Sequence, residues 1–236
     1  MESYRELTAV NHINESHQLE IACPPKTDIL YKPAFPGKAR PLQFSAPIYK
    51  ISMPAGQFKR ASATITFTAT SFVEFDQAGL LFVLPHPQLP DPSSANEGNA
   101  ETHPRSVKIG PEFYQNKMRY AVSGSNYTIP DWSLWPVPDS FARTLTATVE
   151  MVRYGPLLCV FAIEGEGANL EKTLIRAVPW CFENINDDGP ELWVGIYAAR
   201  PDLDGASHGA ALEVRFSEFE IECKAGVVRF GDRKAM

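Results

Sequence analysis

From Ala61 to Thr70 the chain alternates without a break: Ala61, Ala63, Ile65, Phe67 and Ala69 take one set of positions, and Ser62, Thr64, Thr66, Thr68 and Thr70 take the other. A period of two puts these sets on opposite faces of an extended strand, one buried and one wetted. The pattern returns in Leu145, Ala147, Val149 and Met151 against Thr146, Thr148 and Glu150, and in Leu212, Val214 and Phe216 against Glu213, Arg215 and Ser217. After Glu218 the apolar set moves by one position, to Phe219, Ile221 and Cys223, which predicts a β-bulge near Ser217-Glu218.

Further strands are expected over His17 to Cys23, Gly79 to Leu84, Ser106 to Ile109, Lys117 to Ser123, Leu157 to Ile163, Glu171 to Val178 and Leu192 to Ala199. Many short strands, turn signals between them and no amphipathic helix of normal length predict an all-β, two-sheet sandwich. The 20 prolines among Thr, Val and Phe fit short strands joined by Pro-containing turns. One domain over residues 17–224 is expected, with residues 1–16 as an N-terminal extension and 225–236 as a tail. The Pro85 to Pro104 segment is too rich in Pro, Ser and Asn for regular structure and reads as an inserted loop that lids any neighbouring site.

Charge and motifs exclude several functions. With Lys+Arg 22 against Asp+Glu 28, the net charge is −6 and no basic run offers phosphates a partner, so nucleic acid is not expected. The longest strongly apolar run, Pro156 to Ile163, is far below the ~20 residues that cross a bilayer, so no membrane partner is expected. The first residues carry no secretion signal, and a cytoplasmic location is the expectation. Cys23, Cys159, Cys181 and Cys223 lack zinc-type spacing and read as buried thiols; neither a metal nor a cofactor is expected. Asn184 to Gly189 resembles a calcium loop but has Gly195 where the bidentate Glu belongs, and Gly165-Glu-Gly167 has no phosphate-loop lysine after it. Glu218, Glu220 and Glu222 on alternate positions could pair as in glycoside hydrolysis, but they read more simply as a solvated strand face, since no Trp or Tyr stands near them to stack on a sugar.

Three segments carry more chemistry: Asp76-Gln-Ala-Gly-Leu80, Val107-Lys-Ile-Gly-Pro-Glu112 and Pro130-Asp-Trp-Ser-Leu-Trp135. Each sets polar groups beside Gly or Trp in an otherwise apolar strand, and polar groups on a concave sheet face need partners, which a ligand can supply. The structural alternative is an ion pair of Lys108 with Glu112 or Asp131 closing one edge of the core.

With Pro24 to Asp28, Val194-Gly-Ile-Tyr-Ala-Ala-Arg-Pro201 and Val214 to Phe219 added, these motifs cover about 200 residues in order. The chain resembles a concanavalin A-like family of unassigned activity, spread through bacteria and fungi, whose fungal member is named for regulation of enolase. The resemblance implies a concanavalin A-like antiparallel two-sheet β-sandwich, or jelly roll, and brings no established reaction. The chain departs from that pattern at Ser106, where an aromatic residue is usual, and in the Pro85 to Pro104 insertion.

The leading expectation is a binder of a small organic or sugar-like ligand on the concave face, with polar contacts from Gln77, Lys108, Glu112 and Asp131 and a stacking wall from Trp132. The rival is a cofactor-independent isomerase, lyase or cyclase of specialised metabolism, with Lys108 and Glu112 or Asp131 as acid and base. A third reading is a regulatory partner of a metabolic enzyme, which would need an exposed apolar patch.

Overall fold

The computed structural model describes residues 6–11, 19–31, 42–68, 71–96, 104–126, 129–165 and 167–231. One antiparallel sheet runs in the order β1 (Thr8–Val10), β5 (Ile48–Pro54), β14 (Glu191–Ala199), β7 (Gln77–Leu84), β8 (Arg105–Tyr114), β9 (Lys117–Asn126) and β10 (Ile129–Pro136). The other runs β13 (Glu171–Val178), β12 (Leu157–Glu164), β11 (Thr146–Tyr154), β6 (Phe58–Phe67) and β15 (Leu212–Cys223). The far edge of β15 is shared by β2 (Glu20–Cys23) along its first half and β16 (Gly226–Phe230) along its second. The fold is thus the expected antiparallel two-sheet β-sandwich. Among the described residues the one α-helix is the single turn Phe141–Thr144, and no helix is long and apolar enough to cross a membrane.

The alternating segments form the inter-sheet core. Ala61, Ala63, Ile65 and Phe67 of β6 pack with Val149 and Met151 of β11 and with Leu80, Phe82, Ile109 and Val122 from the facing sheet. Burying one such Leu, Ile or Phe contributes about 1.5–3 kcal/mol. The bulge appears where the apolar phase shifts: the β15–β6 register slips between Ser217 and Glu220, and Glu218 has a φ of 51°.

A second, smaller core lies on the outer face of the first sheet. The two-stranded β3 (Ile29–Tyr31) and β4 (Leu42–Phe44) set Ile29, Leu42 and Phe44 over Leu81, Val83, Trp193 and Tyr197. The central strands β7 and β14 are therefore buried on both faces, and every residue of β7 is buried.

Several expectations change. Within the expected extension and tail, Thr8–Val10 pairs as β1 with β5 and Gly226–Phe230 as β16 with β15. The strand expected from His17 begins at Glu20, and His17 itself lies outside the described residues. β5 and β10 were not anticipated as strands. β8 runs through Pro111, which sits in the gap between the Leu80–Ile109 and Gln77–Glu112 pairs, where β7 asks it for no hydrogen bond.

Candidate functional site

On the outer face of the first sheet, register alone brings the candidate side chains together. Trp132 of β10 lies opposite Ser123 of β9, Ser123 opposite Lys108 of β8, and Lys108 opposite Leu81 of β7, so all four share one face. Gln77 lies opposite Glu112 in a parallel row. Between the rows stand Gly79 and Gly110, whose backbones approach so closely that a β-carbon on either would collide with the neighbouring strand. A cavity of about 350 Å³ opens on this face beside Gln77, Lys108 and Glu112.

Gln77, Lys108, Glu112, Asp131 and Trp132 all line this cavity, together with Asp28, Ser123 and a mostly apolar wall of Leu30, Phe75, Pro130, Pro201 and Leu203. At its inner end lies a hydrogen-bonded polar cluster. Lys108 Nζ donates to Gln77 Oε1 at 2.9 Å and to Asp28 Oδ1 at 3.3 Å, and all three side chains are buried. Gln77 Oε1 also accepts from the Tyr197 hydroxyl at 3.1 Å, while the Gln77 amide nitrogen donates to the Phe75 carbonyl. Burial, with the Glu112 and Asp28 charges adding, pushes the Tyr197 phenol well above its ordinary pKa and keeps it a donor.

Glu112 differs from its neighbours. Among the described residues it joins no ion pair within 4 Å, although it is 4 % exposed. Burial raises its pKa from 4.5 to about 7; the Lys108 charge opposes that rise, the Asp28 charge adds to it, and a hydrogen bond with Trp132 opposes it. This carboxyl can gain or lose a proton near neutral pH. Trp132, 43 % exposed, stands at the mouth with its ring edge-on to Tyr114 at 5.0 Å.

Two side chains depart from expectation. Lys108 pairs with neither Glu112 nor Asp131; its ion partner is Asp28, 80 positions away, which closes the Pro24 to Asp28 motif. That motif docks by the Thr27 N–H to the Arg200 carbonyl at 3.1 Å, so its neighbour Asp28 reaches the cavity. Asp131 reaches the mouth but lies opposite Gly124 and hence beside Val107, on the core-facing side of β10. Its carboxylate accepts from the Gly124 N–H and pairs with Arg176 of the other sheet, so it ties the two sheets at the sandwich edge.

Arg200, missed in the sequence, organises the rim. Its guanidinium forks onto Asp76 at 2.9 and 2.6 Å and donates to the Ala210 and Ser71 carbonyls, which ties Pro201 to the start of β7. The Asp76-Gln and Arg200-Pro pairs, each a buried charge beside a cavity residue, were the available signal.

The described part of the Pro85 to Pro104 loop, residues 85–96, contributes nothing to the cavity lining and lies at the other end of β7, with Ser94 N–H on Asn11 Oδ1. Residues 97–103, including His103, lie outside the described residues. The acidic triplet is a charged face: Glu218 accepts from Thr64, Glu220 pairs with Arg60 and Arg229, and Glu222 pairs with Lys59 and Arg60. Among the described residues no three His, Cys, Asp or Glu side chains gather as a metal site.

Solved structures that resemble this chain include the LamAcat protein from Zobellia galactanivorans (9 % identity, 86 % of this chain and 76 % of that one, TM-score 0.46). Another is the winged bean acidic lectin complexed with methyl-alpha-D-galactose (11 % identity, 89 % and 97 %, TM-score 0.40). The Emericella nidulans protein named Uncharacterized protein AN7484 is 34 % identical over 206 residues, which is 87 % of this chain and 86 % of that protein. The family model described as protein of unknown function (DUF1349) matches residues 7–224, and the chain belongs to that family.

Proposed function

We propose that this protein binds a small, largely apolar organic molecule in the cavity on the outer face of its first sheet, with one oxygen of the ligand seated against Lys108. The observation that carries this reading is the arrangement of the cavity, which has buried polar groups at its inner end and apolar side chains around its mouth. Such a site orients a ligand by a few polar contacts and holds it by apolar burial. A sugar, with hydroxyls all round, would leave several of them against Leu30, Phe75, Pro201 and Leu203 without partners. Three of the exposed apolar side chains, Leu30, Trp132 and Leu203, ring this mouth, where a ligand accounts for them.

Catalysis is the second reading, favoured by the buried Glu112 carboxyl, which lines the cavity with no cation paired to it among the described residues and which burial pushes up towards neutrality. Calorimetric titration of the full chain with the bicyclic ketone 2-tetralone and with methyl galactoside tests the binding reading. Saturable one-to-one binding of the ketone alone is expected, weakened about fivefold in Trp132→Ala by loss of the aromatic wall. Binding of the galactoside in preference to the ketone would reverse the assignment.

A further inference from the structure

The cavity's charged groups are not equivalent, and the differences narrow what it can do. Asp28 is occupied, since its Oδ1 accepts both the Ile29 N–H at 2.7 Å and Lys108 Nζ. Asp131 is held by Arg176. That leaves Glu112 as the one lining carboxyl with no cation on it among the described residues. Hydrolysis of a glycosidic bond in the usual manner needs two working carboxyls and is not served by this set. A single carboxyl can work alone where the reaction only moves a proton.

Lys108 has the complementary property. An ammonium has three N–H donors. Two are taken by Asp28 and Gln77, and Gln77 is itself fixed by the Tyr197 hydroxyl and the Phe75 carbonyl. The nitrogen is thereby held as a fixed cation with one donor to spare among the described residues, in a cavity whose walls are mostly apolar. A fixed donor in a dry pocket stabilises a developing oxyanion far better than water does. Lys108 and Glu112 line the same cavity from alternate positions of β8, so both face a molecule held there.

We propose that this cavity catalyses proton transfer at a carbon next to a carbonyl, with Glu112 as the base and the Lys108 ammonium as partner of the enolate oxygen; this rests on the ligand reading above. In the forward step the C–H bond breaks, its proton goes to a Glu112 oxygen, and its electron pair forms the C=C bond of the enolate. The carbonyl π pair moves to oxygen, where Lys108 donates to it. In the return step Glu112 gives a proton back to the same carbon or to a conjugated one, which makes the net change an isomerisation. Nothing is oxidised or reduced, and no co-reactant is consumed. The substrate class is a compact, mainly apolar ketone or related carbonyl compound with an acidic α-hydrogen. Trp132 and Phe75 flank its ring or chain.

The test is deuterium wash-in to 2-tetralone in D2O, followed by proton NMR, with the full chain and with Glu112→Gln. The wild-type protein should exchange the α-hydrogens well above the buffer rate, and Glu112→Gln should lose that excess by about 100-fold or more while binding the ketone within about threefold of wild type. Should the variant fold poorly, the wild-type pH profile stands in for it. The excess rate must rise with pH and level off above about 7, as expected for a carboxylate base set among Lys108, Asp28, Glu74, Arg119 and Tyr197. A ketone that binds yet exchanges at the buffer rate overturns the catalytic proposal and spares the binding reading. Full exchange in Glu112→Gln, or a flat pH profile, also overturns it. Failure of the ketone to bind overturns both readings.

Discussion

Glu112→Gln should make the protein more stable, and by an amount that depends on pH. In the unfolded chain this carboxyl titrates at 4.5 and in the folded chain at about 7, chiefly because burial penalises its charged form. Between those values the folded protein keeps a proton that the unfolded chain has lost. Its contribution is therefore complete below pH 4.5, falls as pH rises towards 7, and is lost above that. Integrating the two titrations gives a cost of about 1 kcal/mol at pH 5 and about 3 kcal/mol at pH 8. Glutamine has nearly the same shape and carries no charge to desolvate, so it escapes the cost. Urea melts of wild type and variant at pH 5 and pH 8 should show a stabilisation that grows by about 2 kcal/mol between the two. Taking the difference cancels the other titrating groups, which both proteins share. A gain that is equal at both pH values, or a variant less stable than wild type at pH 8, would refute the reasoning, because it would mean that the buried carboxylate is already well compensated.

Three other substitutions probe the scaffold beneath the site. Lys108→Ala strands Asp28 in a buried position and should cost roughly 3–5 kcal/mol in a denaturant melt, most of it returned when Asp28→Asn is added. Arg200→Met leaves the fully buried Asp76 carboxylate without its fork and should cost a similar amount, roughly 3–5 kcal/mol, with weaker ketone binding as the Pro201 rim loosens. Gly79→Ala forces a methyl onto the Ile109 carbonyl and should cost more than about 3 kcal/mol or prevent folding altogether; a stable variant with unchanged ketone affinity would show that the close approach of β7 and β8 is dispensable.

The sandwich was legible because most strands of the second sheet have one wet face. There, Ser62, Thr64 and Thr66 alternate with buried Ala63, Ile65 and Phe67, and even the bulge at Glu218 left its mark as a phase shift. The first sheet was harder to read. With β3 and β4 covering its outer side, β7 is buried throughout and β14 from Leu192 onward, and a strand buried on both faces loses its alternation. Pro111 hid the second half of β8, since nothing in the sequence says that β7 would ask it for no hydrogen bond. Gln77, Lys108, Glu112 and Trp132 could be picked out because polar or aromatic residues in apolar strands need an explanation. Asp28 could not be paired with Lys108, because their meeting depends on how the Pro24 to Asp28 segment docks on Arg200. Asp131 reaches only the mouth of the cavity, because it adjoins Trp132 in sequence and adjacent residues of a strand face opposite ways.

The double burial of β7 and β14 also separates two kinds of change. Along β7, Ala78, Leu80 and Phe82 belong to the contact between the sheets, while Gln77, Gly79, Leu81 and Val83 belong to the outer face with its cavity and small core. Along β14 the same division falls between Val194, Ile196 and Ala198 on one side and Trp193 and Tyr197 on the other. Odd and even positions of a single strand thus answer to different demands. One set can vary on the cavity side while the other keeps the two sheets in register.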